Sequence, residues 1–429
     1  MSSPAVSVGP VFKTPEDGHY FQGYYYHSAI CKKNEKILSH KAAFIDRMPS
    51  SNDRVLLGWF ELNSPKQTFR AFSETSAWNW QQGSMLQWLG PDHCRRVIFN
   101  DFRQGRYVSV IYDLDTHIER VAGRAIYAVS HDGRLAIGLD VLRHFWYRNG
   151  YAYQCTVDPT RKIPCDVDDG LWSLDLVSGH ERQIIRVGDL LDINHLATMD
   201  GAEHVLEHAM FSPDGSSLNF LHRWKQPDGS LHTRLYACRI DGSGLKILND
   251  SGRMTHCCWL NENEILGWGS KGSLLTSLRN KGRMVRRLLK MATPIYRKLV
   301  RSDSERGNSA ISRAVSGDSY LLINSLTASV QRVAPDQLTC DGHPSRVPGR
   351  PGVFITDTYP DKDGNLTLML VCPDREVVRN IASLRSIPSL DRTPLRCDLH
   401  PKVSFDGSLV AIDTMNDGIR SVYAYRLPD

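Results

Sequence analysis

Apolar residues in this chain recur in short runs, and the same polar turn keeps punctuating them. Ser130-His131-Asp132-Gly133 leads into the run 134–139, Ser212-Pro213-Asp214-Gly215 into 216–221, and Ser404-Phe405-Asp406-Gly407 into 408–412. Asp361-Lys362-Asp363-Gly364 leads into 365–370 in the same way. Asp-Gly supplies the positive φ that a tight hairpin requires, and the runs that follow alternate or are continuously apolar, as strands are. Second hairpins follow, such as 235–240, a turn at Asp241–Gly244, and 245–248. Many short strands with recurring turns predict antiparallel blades repeated around a ring, an all-β seven-bladed β-propeller.

Spread over seven blades, the 429 residues give about 61 per blade, against about 40–50 in simple propeller repeats, so long loops must project from the faces. The expected blade starts lie near residues 21, 94, 125, 204, 254, 318 and 398. The last strands, 403–412 and 421–426, are expected to share a blade with the N-terminus. That arrangement closes the ring and removes open sheet edges. The expectation is one propeller domain over residues 1–429.

One segment departs from the pattern. Val285, Leu288, Leu289 and Ala292 have helical spacing, which predicts a helical insertion over about 279–301, between blades five and six. This segment carries nine Lys/Arg and no Asp or Glu. It therefore accounts for more than the whole net charge of +5, and the remainder sums to 5 − 9 = −4. The body is mildly acidic, and nucleic acid is not an expected partner. The insertion is either a solvated helix on the rim or a contact for an anionic polymer, membrane surface or partner.

Composition adds exclusions. No run of 18 apolar residues exists, so no membrane-spanning helix is expected. The N-terminus lacks a basic stretch followed by an apolar one, so the expectation is a cytoplasmic protein whose 10 cysteines are reduced thiols. No GxSxG, HExxH, P-loop or paired CxxC motif is present.

Four polar strings carry candidate chemistry. Residues 77–88 hold three tryptophans and three glutamines. They suit either a sugar-stacking surface, with Gln82 in a subsite, or a tryptophan core. Arg124, Arg143 and His144, and then Arg148 and Tyr151, offer guanidinium groups that either grip a carboxylate or face solvent. The hairpin carrying His208, Arg223 and Trp224 puts a histidine near an arginine, which suits a general base beside a charge clamp. His256, His343, Asp398 and His400 come from separate segments. Asp398 and His400 share a face if extended, and the four form either a divalent-metal site or a hydrogen-bonded polar network.

Taken together, several motifs resemble one family. These are residues 78–83 and 86–88, Asn100-Asp101, residues 126–130, residues 341–344, residues 356–360 and residues 396–401. Over about residues 20–425 the chain resembles seven-bladed propellers similar to the oligogalacturonate lyases, the propeller ulvan lyases and the rhamnose–glucuronate lyases. The resemblance implies β-elimination on an acidic, uronate-containing oligosaccharide or polysaccharide. It makes Arg223 the carboxylate-neutralising arginine, places His208 near a hairpin tyrosine of the family, and matches His144 to a catalytic histidine. Arg124 stands where another histidine is usual. His343, Asp398 and His400 match the context of a Gln/His/His set that holds a divalent ion (Mn, Zn or Ca), with Asp398 replacing a histidine and Leu395 near the expected glutamine. Related propellers also include glycosidases, so hydrolysis, or glycan binding without catalysis, are the alternatives; Asp357, Asp361 and Asp398 are the acids available to a hydrolase.

Overall fold

The computed structural model describes residues 9–148, 150–272 and 317–428. These residues form seven four-stranded antiparallel sheets arranged as a seven-bladed β-propeller. Blade 1 spans residues 19–75, blade 2 residues 87–124, blade 3 residues 128–186 and blade 4 residues 203–249. Blade 5 spans 254–333, blade 6 345–385, and blade 7 402–426 plus the N-terminal strand Phe12–Lys13. The ring closes as expected, with Phe12–Lys13 pairing antiparallel to Ser421–Arg426 as the outer strand of the last blade.

Why the sequence adopts this ring is clearest in blade 4. Its three long strands are buried along nearly their whole length, because blades 3 and 5 cover both faces of the sheet. The recurring turns work alike in blades 3, 4 and 7. Each Ser Oγ donates to the Asp two residues on (2.7, 2.6 and 2.6 Å), and the Asp also accepts a backbone N–H from the far side of the turn. Gly133, Gly215 and Gly407 take φ of +71 to +74°, which a side chain would strain. All three turns join the first and second strands and so lie on one face of the ring. The Asp361–Gly364 turn joins the second and third strands of its blade and lies on the other face.

Two boundaries differ from expectation. Residue 318 does not begin a blade: Asp318–Asn324 pairs with Glu264–Ser270 as the third strand of blade 5, and blade 6 begins at Ser345. The basic segment therefore joins the two middle strands of blade 5 rather than blades five and six. Residues 279–301 themselves lie outside the described residues. The regular helices in the described residues, Val141–Tyr147 and Val187–Asp192, both belong to blade 3. The ten cysteines are unpaired thiols. No described helix is long and apolar enough to cross a membrane.

Candidate active site in the central channel

The first strand of each blade lines the channel. Within the strand Glu203–Phe211, the pairing with Ser217–Lys225 shifts register between Glu207 and Met210, and His208 takes a φ of +53°. A regular strand sends neighbours to opposite faces; this bulge lets Glu207 and His208 reach one site. His400 is likewise left-handed, at φ +46°. Such conformations cost about 1–3 kcal/mol each in non-glycine residues and gather at functional sites.

Glu207 is the hub of one half of the site. It is 1% exposed, and its Oε1 accepts a hydrogen bond from His144 Nε2 at 3.0 Å. Its Oε2 lies 3.0 Å from Arg223 Nε, 3.8 Å from His208 Nε2 and 3.9 Å from Arg148 Nη1. The Arg223 contact is an ion pair out of line for a hydrogen bond, leaving Nε and Oε2 both unbonded. Burial alone would raise the Glu207 carboxyl, but Arg223, His144 and Arg148 outweigh it and hold the group well below the ordinary carboxylate range. Burial keeps His208 well below its ordinary value against the pull of Glu207, so its imidazole is neutral. The Tyr24 hydroxyl makes a short hydrogen bond to His208 Nδ1.

The other half is built from blade 6 and the segments that lead into the first strands of blades 6 and 7. His343 and His400, with Asp398, place one ligand atom each within 4.8 Å of one another. Asp357 orders this trio: it accepts from His343 Nδ1 (2.9 Å), from the His343 backbone N–H (2.6 Å) and from the His400 backbone N–H (3.1 Å). Burial opposes charge on His343, but Asp357 outweighs it and raises the imidazole above its ordinary value. Burial drives His400 well below. Asp398 would be raised by burial, but Arg396, 2.9 Å away, holds it low.

The donor set fits a divalent cation. Two imidazoles and a carboxylate are ordinary ligands, and a second carboxylate on the far nitrogen of one imidazole is the usual support for a metal-binding histidine. His256 stands beside the trio, its ring 4.2 Å from that of His343, but it is not one of the three clustered donors. Its Nδ1 is 3.2 Å from Asp341, and burial holds it well below its ordinary value.

The two halves meet. The Tyr151 hydroxyl accepts from Arg396 Nη2 at 3.0 Å, and the Arg148 guanidinium lies 3.9 Å over the Tyr151 ring. Tyr25 packs against the imidazoles of His208 and His256, in the innermost strands of blades 4 and 5, and of His343 and His400, in the segments leading into blades 6 and 7.

The structure thus brings together His208, His144, Arg223, Tyr151, His343, Asp398 and His400, with His256 adjacent. Gln82 joins them through Tyr127, whose hydroxyl accepts from Gln82 Nε2 at 3.3 Å. Three other expected residues lie elsewhere. Arg124 is on the outer strand of blade 2, stacked 4.0 Å over Trp172 and paired with Glu181. Arg143 points away from the site because its neighbour His144 faces it on the same helix; its guanidinium donates to the carbonyls of His204, Ile163 and Pro164. Trp224 is fully buried, stacked on His232 and bonded to Thr198. The tryptophans of residues 77–88 are core, donating to the carbonyls of Asp53, Arg47 and Ala29.

Sequence reasoning missed Glu207 and Tyr24, placed Tyr127 and Arg396 only within motifs without a role, and offered Arg148 only as one of several guanidinium groups. Glu207 carried one signal, a charged residue inside an apolar strand directly before a histidine.

No protein-family model matches the sequence, and no curated relative does. Solved structures do resemble it. An oligogalacturonate lyase in complex with manganese aligns with a TM-score of 0.62 at 15% identity, over 98% of this chain and 93% of its own. An oligogalacturonate lyase from Vibrio parahaemolyticus aligns at 0.59 and 13%, with the same coverages. The β-propeller domain of the Trilobed protease from Pyrococcus furiosus aligns at 0.51 and 11%, over 95% of this chain and 97% of its own. At such identities the likeness establishes the propeller fold.

Proposed function

We propose that this propeller cleaves uronate-containing oligosaccharides by β-elimination. The observation that carries the proposal is the grouping of a buried histidine, His208, with Glu207, arginines and a metal-fitting donor trio around one channel.

β-Elimination has three demands. The substrate carboxylate must be neutralised so that the C5 proton becomes acidic, a base must take that proton, and the departing O4 must receive one. Arg148 and Arg396 are the least buried arginines of the site, with side chains 29% and 19% exposed, and they flank Tyr151. In this reading they grip the carboxylate, while Arg223 is paired with Glu207. A divalent ion held by His343, Asp398 and His400 would add positive charge at that carboxylate. His208 takes the C5 proton, the electron pair forms the C4–C5 double bond, and the C4–O4 bond breaks. His144, hydrogen-bonded to Glu207, is the donor to O4.

The acids considered for hydrolysis are engaged otherwise. Asp357 is hydrogen-bonded to His343 and His400, Asp398 is paired with Arg396, and Asp361 accepts within its own turn. This favours elimination over a two-carboxylate hydrolysis.

The test is a panel of oligogalacturonate, glucuronan, ulvan and rhamnosyl-glucuronate substrates, followed by ultraviolet absorbance of the unsaturated uronate. Reducing ends that appear without that absorbance identify a hydrolase and overturn the proposal.

A further inference from the structure

The loop over residues 22–35 joins the first two strands of blade 1 and does two things. It carries Tyr24 and Tyr25 to the candidate active site, and it packs Cys31 beside Cys94, which lies between the first two strands of blade 2. Both cysteines belong to one apolar cluster shared by the two blades. Cys31 is fully buried, and Cys94 is half-buried at its edge. The two thiols contact each other, and the Cys94 thiol also meets the backbone N–H groups of Lys32 and Lys33.

The backbone holds the pair in place. Lys32 N–H donates to the His93 carbonyl at 3.1 Å. That one bond joins the peptide group after Cys31 to the peptide group before Cys94, so the two Cα atoms flank it. Each cysteine is also fixed on its own side. Cys31 N–H donates to the Lys36 carbonyl (2.9 Å), the Cys31 carbonyl accepts from Asn34 N–H (2.8 Å), and its Sγ accepts from Lys36 N–H (3.3 Å). Cys94 N–H donates to Asp92 Oδ1 at 2.9 Å. A disulfide demands two Cα atoms held close with converging side chains. Thiols already in contact on fixed backbones need only side-chain rotation to join.

We propose that Cys31 and Cys94 are a redox pair that oxidises to a disulfide between blades 1 and 2, with a low-molecular-weight disulfide such as oxidised glutathione as the oxidant. Cys94, the more exposed of the two, attacks as its thiolate. Its sulfur bonds to one sulfur of the oxidant, the oxidant's S–S bond breaks, and one small thiolate leaves. The Cys31 thiolate then displaces the second. Two protein thiols are oxidised, one small disulfide is reduced, and the two protons lost by the cysteines end on the released thiols. Burial, with Cys31 adding to it, raises the Cys94 thiol above its ordinary value against the N–H groups of Lys32 and Lys33. Attack is therefore slow at neutral pH and quickens with alkali. The bond ties to blade 2 the loop that carries Tyr24 and Tyr25. This inference does not depend on the elimination chemistry, because neither cysteine takes part in it.

The test treats the folded full chain with excess oxidised glutathione at about pH 8, where more of the thiol is ionised. Remaining thiols are alkylated, and peptides are read by mass spectrometry without reduction. The expected result is one linked peptide pair, Cys31 to Cys94, with two of the ten thiols lost and both regained on adding dithiothreitol. Cys94→Ser is expected to abolish the link, and Cys31→Ala to leave glutathione on Cys94. The proposal is overturned if wild-type Cys94 keeps its glutathione while Cys31 is alkylated, if either cysteine pairs elsewhere, or if neither reacts. Thermal unfolding supplies a check that needs no variant. The two cysteines are 63 positions apart, and closing so long a loop is expected to raise the unfolding midpoint of the oxidised chain by several degrees. An unchanged or lower midpoint would show that the bond does not fit the native loop, and also overturns the proposal.

Discussion

His144 Nε2 donates to Glu207 Oε1 at 3.0 Å, joining a helix of blade 3 to the innermost strand of blade 4. The same carboxylate compensates Arg223 on its other side. Removing one partner of a buried ion pair leaves an uncompensated charge, at a cost of about 3–5 kcal/mol. Glu207→Ala is therefore expected to lose about that much in urea denaturation, and turnover with it. A loss under about 1 kcal/mol, the range of an exposed pair, would show that Arg223 does not depend on this carboxylate.

Acid should unfold this protein through its buried neutral histidines. His40 is the clearest case. Its Nδ1 donates to the Phe21 carbonyl at 3.1 Å, while Nε2 accepts from the Ser84 backbone N–H at 3.1 Å. The geometry fixes a neutral ring with Nδ1 protonated. Burial lowers its pKa from 6.5 to about 3. A folded-state value below the unfolded one contributes stability that is fully present above pH 6.5 and is lost as pH falls toward 3. Unfolding free energy is expected to decline steadily below pH 6.5, and His40→Gln is expected to shallow that decline. An unchanged slope in the variant would remove His40 from the account.

These residues show what the sequence can and cannot announce. The Ser-x-Asp-Gly turns were legible because side chain and backbone solve the turn locally. The true start of blade 6 was not, because the basic segment separates the two middle strands of blade 5 and makes the third resemble a beginning. In the site, His208, His343, Asp398 and His400 were legible by residue type. Arg124 and Arg143 were misplaced because an arginine reads alike whether it faces the channel or the rim. Adjacent helical residues such as Arg143 and His144 necessarily point about 100° apart. Glu207 was hidden by a bulge that no alternating pattern reveals.

Metal binding makes its own prediction. His343→Ala and His400→Ala are each expected to abolish Mn²⁺ binding measured by calorimetry. Asp357→Asn, which alters only the support of the ligands, is expected to weaken it by roughly 10–100-fold. Equal affinity in wild type and both histidine variants would assign the trio to a polar network.

Tyr24 separates positioning from chemistry. Its hydroxyl makes a short hydrogen bond to His208 Nδ1 and lies 3.4 Å from Nε2, which is 3.8 Å from Glu207 Oε2. If His208 is the base, His208→Ala should cost turnover by roughly 10²–10⁴-fold, the usual share of a general base. Tyr24→Phe keeps the ring and removes only the hydrogen bond. Its expected effect is a smaller fall in kcat, about tenfold, with KM unchanged, because the hydroxyl touches the imidazole and not the bound sugar. The pH profile of the variant should also move, since the group that orients the titrating imidazole has gone. A rise in KM at constant kcat would instead make Tyr24 a substrate contact and would remove His208 from the position of base.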